Sequence, residues 1–401
     1  TYYSAGAHLY GVRSYLSSNS YMYSLETGSK WALPRGYYIA LALRHNYNKD
    51  DLGTEDTALD SHKAKGIYKK QSGSLIFEKT AGVLRFKVNA SLTDNKYNLS
   101  SKSDNSSVRF NHNSLLRLVF SPKSELILTG SRETYQNDLN RLADFPIHLS
   151  YDRIQNTSAI HSPFIDKDDY SIHYRLINNY HNLLLFVSGM YSHTKGGGLA
   201  SVTQRGITRN LTYIDGGNEE WMSFHGVISK GIGHWPVDAN IKLSWTQSRM
   251  TSVLNGMMFN TTAQVPKGEI NLKTRLKSIF NFDLGGLYKK NIYTSYADRR
   301  QYSELYEAHL YTYFKYGQFK GSINYTLSKA NGGGMERVSS NIGAQVSYNM
   351  KRVQISLSGN ELLHLRKNNW MMVSSSSYSS TTSHYMKMPG YLLLSCSLHF
   401  D

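Results

Sequence analysis

The segment Val83 to Leu92 places the tightest limit on what this chain can become. Successive side chains of a strand point to opposite faces. Leu84, Phe86, Val88, Ala90 and Leu92 therefore share one face, and Arg85, Lys87, Asn89 and Ser91 the other. The same split returns in Ala239, Ile241, Leu243 and Trp245 against Asn240, Lys242, Ser244 and Thr246. It returns again in Ile270, Leu272 and Leu276 against Asn271, Lys273, Arg275 and Lys277. A soluble sandwich buries one such face but seldom repeats so polar an opposite face over 401 residues. A closed sheet crossing a bilayer does, with apolar groups in hydrocarbon and polar groups in enclosed water.

The bulk numbers fit this reading only when every second residue meets lipid. Hydrophobic content is 40% and mean hydropathy −0.46, and no apolar run approaches the roughly 18 residues of a spanning helix. The 31 Tyr beside 5 Trp and 7 Pro suit a boundary between lipid and water, where a ring is apolar and its hydroxyl wet. The single cysteine, Cys396, excludes an internal disulfide and a multi-cysteine zinc site. The net charge of +16 is spread singly through alternating strands rather than gathered in an arm or patch. That argues against nucleic acid and for a cationic lumen, or rim residues meeting anionic headgroups. The sequence opens at Thr1 inside a strand-like stretch, and reads as a mature fragment or the ordered part of something longer.

Strands are predicted at Thr1 to Arg13 and Tyr21 to Ala32, joined through Ser17 to Ser20, with a turn at Leu33-Pro34-Arg35-Gly36. A further strand starts at Tyr37 and runs into a polar loop through Asp50, Asp51, Glu55, Asp56 and Asp60. Hairpins follow at Gly66 to Lys79 with Val83 to Asp94, Ser106 to Phe120 with Glu125 to Tyr135, and Asp169 to Asn179 with Leu183 to His193. More lie at Trp221 to Gly231 with Val237 to Met250, Gly268 to Lys277 with Phe280 to Tyr293, and Tyr302 to Tyr316 with Phe319 to Lys329. The last is Val338 to Tyr348 with Val353 to Leu363, before a final strand from Pro389 to Phe400. Long loops are expected at Asp138 to Asp168, His193 to Glu220, Thr251 to Gln264 and Leu365 to Ser383. Short turns on one rim and long loops on the other belong to outer-membrane barrels. The expectation is an all-β transmembrane antiparallel barrel over residues 1–401, with about 18 strands visible. Gly196-Gly197-Gly198 and Gly332-Gly333-Gly334 open no helix and are read as flexible loop tips.

Arg85, Lys87, Arg109, Arg117, Arg175, Lys242, Lys273 and Arg275 all fall on the polar face. A Lys or Arg facing lipid at mid-bilayer costs roughly 2–4 kcal/mol, so this face lines the lumen. Two roles are open to these cations: pairing with carboxylates of a plug or of neighbouring strands, or contacting an anionic cargo. The 15 His form no close cluster; His45 and His384 read as ordinary polar residues. The acidic loop Asp50 to Asp60 and the run Asp166-Lys167-Asp168-Asp169 lack the spacing of a calcium loop and read as solvated charge. No Ser/His or Asp/His pair stands out at a rim. The sequence predicts no enzyme, no metal and no cofactor.

The part from about Glu336 to Phe400 resembles the barrel end of TonB-dependent outer-membrane transporters. Val353 to Leu363, with Asn360-Glu361-Leu362, is similar to that family's penultimate strand and its Asn/Asp-x-Leu/Phe segment. The Ser-rich loop Ser374 to Ser383 matches its last extracellular loop in placement. Leu392, Leu394, Cys396, Leu398 and Phe400 alternate and close on an aromatic, like the C-terminal signal for barrel insertion; Leu394, Leu398 and Phe400 would carry it, and Asp401 departs from it. The resemblance implies a barrel of roughly 22 strands whose first strands and N-terminal plug precede Thr1. It also implies import of a nutrient across the outer membrane of a Gram-negative bacterium. Implied partners are outer-membrane lipid, lipopolysaccharide, the barrel-assembly machinery, TonB through the plug, and a surface lipoprotein. Two other functions stay open: a structural or docking barrel of a larger complex, and a passive anion-selective porin.

Overall fold

The computed structural model describes residues 7–9, 12–56, 62–99, 102–142, 145–150, 153–156, 158–205, 208–233, 235–294, 300–332, 335–350, 353–365, 368–375, 380–387 and 389–398. Asp60, Gly333, Gly334, Phe400 and the stretch 1–6 of the first predicted strand lie outside them. The chain divides into two compact units.

The first unit comprises Thr1–His173, Met190–Met222 and Ser248–Thr261. Its frame is a run of antiparallel strands, each bonded to the next: Val12–Leu33, Tyr37–Asp56, His62–Lys79, Leu84–Leu99, Lys102–Ser121 and Ser124–Gln136. Two loop readings fail here. Ser17 to Ser20 lies inside a 22-residue strand, and Asp50, Asp51, Glu55 and Asp56 lie inside a strand of 20. Twenty residues at about 3.3 Å each rise roughly 66 Å, about twice the hydrocarbon thickness. Past the bilayer both faces meet water, so apolar alternation stops while ladder pairing continues.

The second unit comprises Tyr174–Gly189, Ser223–Gln247 and Thr262–Asp401. Phe280–Thr294, Arg300–Tyr316, Phe319–Gly332, Met335–Asn349, Val353–Asn360 and Tyr391–Leu398 pair in succession. The expected loop Leu365 to Ser383 instead contains a hairpin, Asn368–Ser375 with Ser380–Lys387. The strands Phe164–Asn178, Leu183–Lys195, Asn218–Gly231 and Val237–Leu254 have residues in each unit. Among the described residues the sheet holds 22 strands, a count that includes short strands contributed by connections.

Local turn chemistry accounts for the short connections. Pro34-Arg35-Gly36 forms a 3-10 turn in which Arg35 and Gly36 take φ of 61° and 77°. Asn178 caps the turn Asn179–His181, its Oδ1 accepting from the Tyr180 and His181 amides at 3.1 and 3.3 Å. The predicted loop Thr251 to Gln264 is a strand reversal. Asn255 and Gly256 sit at φ 50° and 81° between Val237–Leu254 and Met257–Thr274. Asn-Gly with both φ positive is the favoured two-residue hairpin turn.

The faces are inverted relative to a soluble protein. Leu43, Leu92 and Leu243 stand 64%, 62% and 53% exposed, while Thr93 and Asn95 are buried at 1% and 0%. Exposed apolar area on this scale is unfavourable in water by about 25 cal/mol per Å² and is stable only under hydrocarbon.

Candidate functional site

The polar face carries ion pairs within each unit. In the first, the Arg117 Nε donates to Glu125 at 2.8 Å, and Glu125 is buried. Arg109 approaches Asp166 at 3.9 Å, and Arg132 approaches Asp168 at 3.7 Å. Arg85 donates to the Gly82 carbonyl at 3.2 Å, and Lys87 sits in register with Leu115. In the second, Lys242 meets Glu269 at 2.7 Å, Lys273 meets Asp283 at 3.0 Å, and Arg275 contacts Asp238. Arg175 is exposed, on the face opposite Tyr170 and Ile172 of its own strand. Most of these cations thus have a carboxylate from a neighbouring strand. The run Asp166 to Asp169, expected to be solvated, splits by alternation. Asp166 and Asp168 face the arginines, and Lys167 pairs with Asp169 at 2.9 Å.

In the first unit the long connections fold onto this polar face. A helical turn, Leu139–Leu142, is followed by the short strands Ile147–Ser150 and Arg153–Gln155. Arg153–Gln155 pairs in parallel with Thr208–Ile214, which pairs antiparallel with Leu199–Arg205, which meets Val253 and Leu254 in parallel. The connections at 138–168, 193–220 and 251–264, each expected to be a separate loop, thus pair with one another through short parallel and antiparallel strands of the main sheet. Beneath these short strands Leu139, Leu142, Phe145, Ile147 and Ile160 form a buried cluster with Leu52, Tyr68, Tyr97, Leu99 and Phe164. The cap is therefore held by an apolar core that it shares with the frame strands. Gly198 belongs to this packing, because a Cβ there would lie 2.4 Å from Ile160 Cδ1. Gly196 to Gly198 is a contact segment rather than a free tip. Arg141 closes the contact, donating to the Gly197 carbonyl at 3.0 Å with its guanidinium 5.4 Å from the Tyr213 ring.

A polar cavity of about 730 Å³ opens beside the helical turn, lined by Asn48, Asp50, Tyr68, Lys70, Gln136 and Asn140 among others. Gln136 Nε2 donates to Asp50 at 2.9 Å, and Asn48 Nδ2 reaches the same carboxylate at 3.2 Å. Deeper in, Tyr68 donates to Asn95 at 2.7 Å, Asn111 to Thr93 at 3.0 Å, and Thr134 to Asp166 at 2.8 Å. Burial pushes the Tyr68 hydroxyl up; burial and then the Asp50 charge do the same to Tyr97. Both therefore stay neutral, Tyr68 as the donor to Asn95. Gly66 is required by close approach, since a Cβ there would sit 2.4 Å from the Tyr97 hydroxyl. Of these lining residues the sequence points only to Asp50, and there as solvated charge rather than as the acceptor of Gln136 and Asn48. One signal was available: Leu139 and Leu142, spaced i, i+3 after Asn137-Asp138, mark an apolar helical stripe behind a capping residue.

A His–Asp contact fastens the cap at its surface. His161 Nδ1 lies 2.5 Å from Asp215 Oδ2, and the His161 amide donates to Asp215 at 2.8 Å. Burial would raise the Asp215 carboxyl. Hydrogen bonds from the His161 amide and ring and the Ser162 amide outweigh it and hold the group below the usual carboxylate range. A depressed folded value means the clamp's contribution is complete above the unfolded pKa and is lost as pH falls through the folded one. Proteolysis at 153–163 is therefore expected to accelerate only at acid pH, below the ordinary carboxylate range. Asp215→Asn is expected to show the fast rate at neutral pH, and an acid-independent rate in the parent protein would refute the clamp.

In each unit the antiparallel frame strands present apolar groups on one face and an ion-paired, amide-lined surface on the other. The fold is that of a transmembrane β-barrel. The barrel sequence matches no family model and no curated protein. Among solved structures it is similar to the copper transporter OprC, at 9% identity and TM-score 0.47, covering 97% of this chain and 66% of that one. The FrpB iron transporter from Neisseria meningitidis follows at 9% and 0.35, covering 92% and 67%. The ferric citrate transporter FecA is similar at 10% and 0.31, covering 96% and 68%. The barrel chain spans about two thirds of the length of these transporters. Of the insertion signal, Leu394 and Leu398 are exposed on Tyr391–Leu398, and Phe400 lies outside the described residues.

Proposed function

We propose that these residues form the barrel portion of a TonB-dependent outer-membrane transporter that imports a nutrient. The observation that carries this reading is the cap: the connection 138–168 packs an apolar core against the polar face, with Tyr213 of a second connection against it, beside a cavity of amide, carboxylate, hydroxyl and ammonium groups. An open pore has no need of such an assembly, whereas a receptor needs a preorganised polar surface to hold its cargo. In this reading the protein binds and passes its cargo without chemical change. TonB acts through a plug, a surface lipoprotein and lipopolysaccharide are neighbours, and the barrel-assembly machinery reads the C-terminal strand. Deleting the gene is expected to abolish uptake of one nutrient, and deleting TonB to do the same. A steady anion-selective conductance of the purified protein in planar bilayers would instead make it a passive porin. Unchanged uptake of every candidate nutrient, with lipoproteins co-purifying, would make it a docking subunit.

A further inference from the structure

The cavity beside the helical turn holds two opposite charges that do not pair with each other. Asp50 and Lys70 both line it, and both are half-buried. The two side-chain donors to Asp50, Gln136 and Asn48, both end on its Oδ2. Among the described residues no cation stands within ion-pair reach of this carboxylate. The Lys70 ammonium donates to the Thr134 carbonyl at 3.4 Å, and no described carboxylate pairs with it. Glu133 acts on it only from a distance and accepts the Tyr135 hydroxyl at 2.6 Å. A half-buried charge without a partner is costly, and a ligand that brings the opposite charge removes that cost.

Register sets the distance between the two charges. Asp50 pairs with Gly66, Asn48 with Tyr68, and Asn46 with Lys70. The charged rows are thus four residues apart, about 13 Å at 3.3 Å per residue. The row between them holds Asn48 and Met22, which are in register and also line the cavity. Met22 is 79% exposed, and its unbranched side chain gives the floor an adaptable surface. This spacing excludes simpler ligands. A single amino acid carries its ammonium and carboxylate on one carbon and cannot span it. A neutral glycan offers neither charge, and an anionic metal chelate would be repelled by Asp50. An extended chain of three or four residues spans roughly 10–14 Å.

We propose that this cavity takes a short peptide of three or four residues with both termini free. Its ammonium meets Asp50, its carboxylate meets Lys70, and its backbone lies along Asn48 and Met22. The termini and the backbone are read, while the adaptable floor tolerates different side chains. Calling the peptide a cargo rests on the transport reading above; the site itself is a matter of binding alone.

The full chain, refolded in detergent, is titrated calorimetrically with tri- and tetra-L-alanine and with their N-acetylated and C-amidated forms. The free peptides are expected to bind. Either terminal block should weaken binding at least about tenfold, the loss of one charge-assisted hydrogen bond. Lys70→Gln is expected to lower the affinity for the free peptide to that of the amidated form, and to leave the amidated form unchanged. Asp50→Asn should do the same with respect to the acetylated form. The affinity each variant retains shows that it is folded, and the comparison of free with blocked peptides needs no variant. Absence of binding by tri- and tetra-alanine, equal affinity of free and blocked forms, or equal binding of maltotetraose would each overturn the site. Peptide binding without any uptake that depends on the gene would overturn the transport reading and leave the site standing.

Discussion

Replacing Leu142 with Asp is expected to detach the cap while leaving the sheet intact. Leu142 is 2% exposed within the cluster of Leu139, Phe145, Ile147 and Ile160. Truncating such a leucine to alanine costs roughly 2–5 kcal/mol, and a carboxylate without a partner costs more. The strands of the frame are held by their own ladders, so the loss falls on the segment 137–163. Trypsin cleavage at Arg141, now tied to Gly197 and Tyr213, should rise at least about 30-fold if opening is fast relative to cleavage. Conductance of the purified protein should rise with it. Asn140→Asp, an exposed neighbour, is the control. Identical cleavage in the two variants would mean the cluster does not hold the cap.

Placing a lysine at Leu243 is expected to destabilise the protein by roughly 2–4 kcal/mol, because the side chain would face hydrocarbon. The same lysine one residue on, at Ser244, should cost about 1 kcal/mol or less, since that face is wet and already holds the Lys242–Glu269 pair. Denaturant unfolding in phospholipid vesicles measures both variants. The comparison is strong because the positions are adjacent and differ only in the face they present. If Ser244→Lys proved the costlier change, the assignment of faces would be reversed.

How much of this was legible beforehand follows from how far each signal reaches along the chain. Alternation at Val83 to Leu92 and at Ala239 to Thr246 is local, and it located the membrane-crossing parts and their faces. The same logic failed at Ser17 to Ser20 and at Asp50 to Asp56, which continue as strand into water where alternation carries no information. The reversal at Asn255-Gly256 was readable from its dipeptide and passed over as loop. The cations were placed on the polar face, but their partners were not. Glu269 for Lys242 and Asp283 for Lys273 come from neighbouring strands, so naming them requires the register.

The order of amide, charged and aliphatic groups along single strands thus dictated an all-β, membrane-crossing chain and its two faces, since a period of two needs no partner to be expressed. The cap and its cavity came only with the tertiary structure. Each joins residues far apart in sequence, such as Asp50 and Gln136 or Ile160 and Gly198, and strand register and loop packing alone bring those together.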